Sequence, residues 1–477
     1  MPVPVISVAQ MRAWEQATWD TGQSVERVMR LAGRAVANAA LAMNHGKAPV
    51  LILAGKGNNG GDARYAAEYL EGSQTTLVDC SDETVSPATI RDMLDHVTAS
   101  GGLVIDGLFG IGLNRAPAGR WAEIIDAVNA RGPRILAVDV PSGLDSEGEG
   151  VAESVIRADL TLTFGAPKAG LLSAMAAPYV GRLEVATDIG LVPCPFKEPI
   201  EWILDSDFRD FPPRRQAGGH KGTFGHLAIL AGSTGYHGAA VLAALAAQRA
   251  MPGLISVYPS ERVYPSVAAQ LRQSMVHPWS DQTRLPRNCT ALLVGPGLAG
   301  PDVSGETIAQ IRELWARSPM PIVADASALD WIPPGDPISA VRIVTPHPGE
   351  AARLLGVSAT EIQADRVAAA QAISKRLGNC HVVLKGNRTV IVNPGHPTAV
   401  NGTGNPNLGQ GGSGDLLAGH LAGLVAQASL ASRIAETIRH AVHEHGRAAD
   451  FLTGRQSAWD LDDFVRVLGT REISRHC

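Results

Sequence analysis

Short apolar runs recur along this chain at 50–54, 76–79, 103–106, 135–140, 160–164 and 183–187, and most give way to a polar, glycine-bearing loop. Helix-period stretches lie between several of them, at 64–71 and 121–131. Near-continuous apolar strands that alternate with helices specify a mostly parallel sheet covered by helices. Sheets of this kind bind ligands at the carboxyl ends of their strands, so the loops after the runs are where function is expected. Prolines 193, 195, 199, 212 and 213 then interrupt the pattern. The alternation restarts beyond them, with strands expected at 227–230, 254–258, 291–294, 321–324, 341–344, 381–384 and 389–392. Helices are expected at 238–250, 307–316, 366–377, 414–426 and 433–452. A length of 477 residues favours two to four domains at about 100–200 residues each. The proline seam near 200–215 divides the chain into expected domains at 1–205 and 206–477, which do not align as a repeat and therefore suggest a fusion.

Composition removes several function classes. Hydrophobic residues at 45% and charged residues at 18% supply buried cores and argue against a disordered chain. A net charge of −5 without a basic cluster, and only 5% aromatics, make a poor nucleic-acid or anionic-membrane binder. No run approaches the ~20 apolar residues of a membrane span. The first ten residues lack the basic flank and apolar stretch of a signal peptide. The five cysteines are far apart and form no C-x-x-C, which fits a reducing cytoplasm better than a disulfide framework or a zinc site.

In the first half, the run at 50–54 enters Gly55-Lys56-Gly57-Asn58-Asn59-Gly60-Gly61-Asp62. Its G-x-G-x-x-G pattern is weak alone, since Gly295, Gly297 and Gly300 repeat it elsewhere. Two carboxamides and a carboxylate in so glycine-rich a loop add chemistry. The loop can cradle phosphate with its N–H groups or offer oxygens to a hard cation. The plainer alternative is a tight turn with Asp62 as a helix N-cap. Other strand ends carry Asp106-Gly107, Asp139-Val140-Pro141-Ser142 and Phe164-Gly165-Ala166-Pro167-Lys168. A carboxylate at a strand end suits proton transfer or cation binding, and the plainer alternative for any one such Asp is a turn or cap residue.

In the second half, Gly409-Gln410-Gly411-Gly412-Ser413-Gly414-Asp415 opens an apolar helix. Such a loop presents unpaired N–H groups at the positive end of a helix dipole, where phosphate is the natural guest. Asp415 beside it is placed to take a proton from a hydroxyl attacking a phosphoryl group. Lys385-Gly386-Asn387-Arg388-Thr389 reads as a hairpin over a nucleotide, and His347, between two prolines at a strand end, as a substrate contact. Ser233, Gly238 and Asp325 also sit at strand ends. No P-loop, H-E-x-x-H or G-x-S-x-G is present. His440, His443 and His445 read as a helix face, solvated or in the core, and not as a metal cluster.

Over 6–192, the motifs G-x-G-N-N-G-G-D, V-I-D-G-L-F-G-x-G-L, A-V-D-V-P-S-G-L-D and F-G-A-P-K together resemble the NAD(P)H-hydrate epimerase domain. That resemblance implies a Rossmann-like three-layer α/β unit. Its phosphate-contacting segments would fall on Asn58, Asn59, Gly60, Gly61 and Asp62, and on Gly110, Ile111, Gly112 and Leu113 with Asn114, Arg115 and Ala116. It implies a potassium ion on Asn59, Asp106 and Ser142, and a substrate-contacting acid at Asp139, which is then the expected proton carrier with Lys168 as helper. Ala63 stands where that family usually has Gly.

Over 220–452, H-K-G-x-F-G, V-G-P-G-L, D-A-S-A-L, T-P-H-P-G-E, L-K-G-x-x-T and G-G-S-G-D are similar to the NAD(P)H-hydrate dehydratase family, which has a ribokinase-like α/β fold. The hydrated cofactor would contact Ala239, Gly297, His347 and Asp415. The adenine nucleotide, expected to be ADP with magnesium, would contact Lys385, Gly386, Asn387, Arg388, Thr389 and Gly414. Ser327 stands where the family often has a second Asp. The resemblance implies repair of NADHX and NADPHX, and the expected assembly is a homo-oligomer. Rival readings are a ribokinase-like small-molecule kinase with a regulatory N-terminal domain, a non-catalytic nucleotide-binding scaffold, and a dehydrogenase resting on G-x-G-x-x-G alone.

Overall fold

A computed structural model describes residues 2–470 except 45–47, 71–73, 114, 149 and 337–338. The chain forms two compact units, Pro2–Trp202 and Ile203 onward. In the first, a six-stranded parallel sheet runs in the order Thr75–Asp79, Val50–Ala54, Leu103–Gly107, Arg134–Val138, Leu160–Phe164, Arg182–Ala186. Alternate side chains feed opposite faces. Val50, Ile52 and Ala54 pack with the helices Val25–Met43 and Asn58–Tyr69, whereas Leu51 and Leu53 pack with Pro87–Ala99 and Arg120–Arg131. The neighbours of Val50–Ala54 lie on either side of it, so the connections leaving Val50–Ala54 and Leu103–Gly107 part to form a crevice.

Two boundaries differ from expectation for reasons that matter to the site. The helix expected at 64–71 begins at Asn58, inside the glycine-rich loop. Asn, Gly and Asp are weak helix formers, but close packing overrides their propensity. Gly60 lies against the backbone of Gly55, where a Cβ would collide with the Gly55 carbonyl. Gly57, not Asp62, occupies the N-cap, and Asp62 lies within the helix. The strand expected at 135–140 ends at Val138, because Asp139 turns into the left-handed region at φ 61°. Asp is among the few non-glycine residues that accept such a backbone.

An element not anticipated from sequence is the helix Val8–Trp19, fixed by a Ser7 capping box. The chain before it is stitched to the loop after Leu160–Phe164: Ile6 N donates to Pro167 O at 2.9 Å, and Ala169 N donates to Ile6 O at 2.9 Å. Trp14, buried beside Gly165, donates its indole N–H to Val192 O at 2.8 Å. Val3–Pro4 also pairs antiparallel with Ile200–Trp202.

In the second unit, parallel strands run in the order His381–Leu384, Arg342–Val344, Ile322–Ala324, Ala291–Val294, His226–Leu230, Leu254–Tyr258, Met275–Val276. Beyond His381–Leu384 the sheet continues antiparallel through Thr389–Val392 and Thr398–Asn401. One face packs on the helices His237–Arg249, Ser413–Val425 and Ile434–Thr453, the other on Gly305–Arg317, Pro348–Leu355 and Arg366–Arg376. Ser413–Val425 is buried from Leu416 to Val425 on every side, which explains its unbroken apolar sequence.

His440, His443 and His445 are all buried. His443 Nε2 lies 3.0 Å from Asp205 Oδ1, and His445 Nε2 bonds the Ser413 carbonyl at 3.0 Å. Among the described residues, no group of three or more His, Cys, Asp or Glu could hold a metal ion, and no helix is long and apolar enough to cross a membrane. Cys80, Cys194, Cys289 and Cys380 are free, and Cys477 lies outside the described residues.

Candidate active sites

The crevice of the first unit holds a cavity of about 740 Å³. The sheet delivers Asp139 to it, and Lys168 lies behind with no exposed surface. Lys168 Nζ bonds Asp139 Oδ1 at 2.6 Å, Thr163 Oγ1 at 3.0 Å and the Phe164 carbonyl at 3.1 Å. Asp139 Oδ1 also accepts from Thr163 Oγ1 at 3.0 Å and from Phe164 N at 3.1 Å. Ammonium, hydroxyl and amide therefore converge on one carboxylate oxygen.

Asp106, at the neighbouring strand end, has no exposed surface. It accepts from Ser142 Oγ at 2.6 Å, Ser142 N at 2.8 Å and Leu108 N at 3.2 Å. Burial still lifts its pKa to about 6. Asn59 donates Nδ2 to the Phe109 carbonyl at 2.8 Å, while its Oδ1 is buried without a hydrogen-bond partner. Ser142 Oγ accepts from Phe109 N at 2.9 Å, which ties all three residues to the loop after Leu103–Gly107. Asn58, Asn59, Asp62, Gly110, Ile111, Gly112, Leu113, Arg115 and Ala116 line the cavity. Gly60 and Gly61 lie in the same helix turn, and Asn114 lies outside the described residues. Gly57 provides no side-chain cap to the first-turn N–H groups of Asn58–Tyr69. Ala63 packs where a Cβ at Gly107 would meet it.

Two carboxyl groups of this cavity have raised pKa values. Burial, then the charges of Asp139 and Glu15, push Asp62 well above its ordinary range. Burial, then Asp139, raise Glu15, against the pull of Lys168 and Arg12. Glu15 escaped the sequence reading because a single Glu on an amphipathic helix carries no motif.

In the second unit the helix Ser413–Val425 opens on Gly412, at φ 104° and without a side-chain cap. A Cβ at Gly412 would meet Leu242 of His237–Arg249, so glycine is required by space as well as by conformation. Lys385 Nζ reaches across this helix start. It bonds Asp325 Oδ1 at 2.7 Å, lies 3.9 Å from Glu350 Oε2, and would be 3.3 Å from a Cβ at Gly414. Burial opposes the Lys385 charge, but Asp325 and Glu350 outweigh it and raise its pKa. Thr345 Oγ1 donates to Asp325 Oδ1 at 2.7 Å. Glu350 Oε2 accepts from His347 N at 2.7 Å, and His347 Nδ1 accepts from Gly349 N at 3.0 Å.

Asp415 stands beside this cluster. Burial, then Asp325, raise its pKa to about 7; Lys385 opposes and Glu350 adds to the shift. Lys385, Gly414 and Asp415 are thus brought together with Asp325 and Glu350, a linkage the sequence did not reveal. Ala239 and Gly297 adjoin each other, since a Cβ at Gly297 would lie 2.8 Å from Ala239 Cβ. In the hairpin, Thr389 Oγ1 donates to the Gly386 carbonyl at 3.1 Å, Gly386 and Asn387 are exposed, and Arg388 is half-buried at φ 56°. Ser327 falls in the short helix Ala326–Asp330 after Asp325.

Two parallel-sheet units, one Rossmann-like and one ribokinase-like, each with a carboxylate–lysine site at its strand ends, define a two-site α/β enzyme. A family model for the YjeF-related protein N-terminus matches residues 25–170, and one for NAD(P)H-hydrate dehydratase matches residues 227–466. The bifunctional NAD(P)H-hydrate repair enzyme of Coxiella burnetii is 33% identical, over 96% of this chain and 98% of its own. That of Gloeobacter violaceus is 34% identical, over 98% of this chain and 96% of its own. The crystal structure of ADP/ATP-dependent NAD(P)H-hydrate dehydratase from Bacillus subtilis with ATP and magnesium is 30% identical, with a TM-score of 0.48, covering 54% of this chain and 91% of its own. This chain belongs to the bifunctional NAD(P)H-hydrate repair enzymes.

Proposed function

We infer that the chain repairs hydrated nicotinamide cofactors in two steps: Pro2–Trp202 interconverts the R and S epimers of the hydrate, and the unit from Ile203 dehydrates the S epimer with an adenine nucleotide. The observation that carries this reading is the pairing of Asp139, bonded to Lys168 at one site, with Asp415, its pKa raised to about 7 beside a helix N-terminus, at the other.

At the first site the substrate's ring hydroxyl, on the carbon next to the ring nitrogen, leaves and returns from the opposite face. Asp139, oriented by Lys168, takes the proton of the incoming water. The first turn of Asn58–Tyr69 and the 110–116 segment hold the cofactor's phosphates. The residues also fit a potassium ion: the orphaned Asn59 Oδ1, the buried Asp106 carboxylate and Ser142 Oγ form a set of hard oxygen donors. Held there, it would supply a fixed positive charge.

At the second site Asp415 accepts the proton of the S-hydrate hydroxyl as that oxygen attacks the terminal phosphoryl group of ADP. AMP departs, and the phosphorylated ring then loses phosphate and the neighbouring ring proton to give NAD(P)H. Lys385 and the N–H groups at Ser413 and Gly414 offset the charge on the transferring group. Ala239, Gly297 and His347 position the hydrate, and Gly386, Asn387, Arg388 and Thr389 cover the nucleotide. ADP as the nucleotide, accompanied by magnesium, a homo-oligomeric assembly and a cytoplasmic location complete the proposal.

The direct test supplies mixed R and S hydrates with ADP or ATP to the full chain and follows the reduced-nicotinamide absorbance. Complete recovery with release of inorganic phosphate is expected. Recovery that stops at the S fraction refutes the epimerase assignment, and a stable phosphorylated product without recovery supports the kinase reading.

A pH dependence follows from Asp415. A group with a pKa of about 7 accepts a proton only once ionised, so kcat/KM for S-hydrate dehydration rises with pH and levels off above about 7. The charged groups facing it are Asp325, Lys385 and Glu350. Glu350→Gln removes a repelling charge and moves this limb to lower pH. A limb that stays in place detaches it from Asp415.

A further inference from the structure

We propose that Glu15 is the second acid–base residue of the epimerase cavity, acting with Asp139 on the hydroxyl that leaves and the water that returns. The proposal rests on reading the first unit as the epimerase.

Epimerisation at a carbon bearing a hydroxyl places two proton demands on a site. The departing oxygen must be protonated so that the C–O bond breaks with loss of water and the ring nitrogen delocalises the positive charge. A water on the other face must then lose a proton as the new C–O bond forms. No electrons are gained or lost, and the proton given by the acid is balanced by the proton taken by the base. One carboxylate held charged can serve the second demand but not the first. Asp139 serves the second, its Oδ1 accepting from Lys168 Nζ, Thr163 Oγ1 and Phe164 N.

Glu15 meets the first demand. It lines the same cavity from the helix Val8–Trp19 and remains partly accessible within it. That helix is held in register with Asp139 and Lys168. Ile6 bonds the residues on either side of Lys168, through Pro167 O and Ala169 N. Trp14, next to Glu15, packs on Gly165, where a Cβ would lie 3.0 Å from its ring, and its indole bonds Val192 O. Thr18 Oγ1 donates to Trp14 O at 2.9 Å and accepts from Val192 N at 3.3 Å. A helix needed only for core packing would not have to present a carboxyl to the cavity. The charged groups facing Glu15 are Asp139, Lys168, Arg12 and Asp62; burial, then Asp139, raise its pKa, and Lys168 and Arg12 oppose the rise. A carboxylate bonded to a lysine and a second carboxyl with a raised pKa, lining one cavity, are the arrangement expected of a base and an acid. The family model for this half begins at residue 25 and does not include this helix.

The test uses the full chain, with the second site as reporter. R hydrate and ADP are supplied, and NAD(P)H formation is followed. S hydrate alone is the internal control. Glu15→Gln is expected to lower kcat for the R epimer by about 100-fold or more, the usual contribution of one acid–base group, with KM within about threefold. Glu15→Asp should recover a substantial part of the loss. The S-epimer rate and the thermal midpoint should stay at wild-type values. Without nucleotide, incorporation of ¹⁸O from labelled water into the ring hydroxyl should fall in parallel with kcat. If Glu15→Gln turns over the R epimer within about threefold of wild type while Asp139→Asn does not, the proposal is overturned and the epimerase reading stands. A change confined to KM also overturns it. If both variants match wild type, the epimerase reading falls and the proposal with it.

Discussion

Asp139→Asn lowers conversion of the R epimer by about a thousandfold or more, while S-hydrate dehydration by the same chain keeps its wild-type rate. Asn is the informative replacement, because it shares with Asp a tolerance for the left-handed backbone found here at φ 61°. Its carbonyl can still accept from Thr163 and Phe164, but it no longer balances Lys168, whose side chain has no exposure. Removing one partner of a buried ion pair typically costs about 3–5 kcal/mol, so the thermal midpoint of the first unit falls too. The double variant Asp139→Asn/Lys168→Met removes the stranded charge as well, and should regain stability without regaining epimerisation. Recovery of R-epimer turnover in either variant would remove Asp139 from the mechanism.

Asp415→Asn eliminates dehydration and leaves R/S interconversion intact, as measured by separating the two epimers after incubation without nucleotide. The expected loss is about a thousandfold or more, since the attacking hydroxyl keeps its proton and Asn cannot take it. Stability moves the other way. A carboxyl whose pKa rises on folding to about 7 stabilises the fold fully only below its unfolded value, and that contribution is lost as pH rises through about 7. Near pH 8 the folded chain therefore holds Asp415 charged against Asp325 and Glu350. The neutral Asn variant should melt at a higher temperature there, and at nearly the wild-type temperature near pH 4. Parallel loss of both activities would break the assignment of one reaction to each unit.

The strands were legible because they are apolar on both faces, which leaves a continuous signal in the sequence, and the parallel α/β class follows from that signal. Thr398–Asn401 was missed because its ends are polar and it lies at the antiparallel end of the second sheet, where alternation is weaker. Asn59, Asp62, Asp106 and Asp139 could be picked out because polar residues at the ends of apolar strands stand out. That Asn59, Asp62 and Asp139 line one cavity, with Asp106 buried at the neighbouring strand end, depends on strand order, which the sequence does not state. Helix Asn58–Tyr69 was placed too late because a propensity argument cannot register the close approach of Gly60 to Gly55. Glu15 was invisible because its partners lie more than 100 residues downstream. The same limit hid the link between Asp325 and Lys385, each unremarkable until the sheet places their side chains 2.7 Å apart.

The stitch of the first few residues to the loop around Lys168 has a consequence for biosynthesis. Ile6 cannot reach its partners until Ala169 has been made, and Trp14 must wait for Val192. At about 5–20 residues per second, the roughly 180 residues between Trp14 and Val192 take on the order of 10–35 s to translate. For that interval the segment emerges with Met11 and Trp14 uncovered, ahead of the sheet that will bury them. The nascent chain is thus open to chaperone capture at this segment, and the cavity it lines is among the last features of its unit to close.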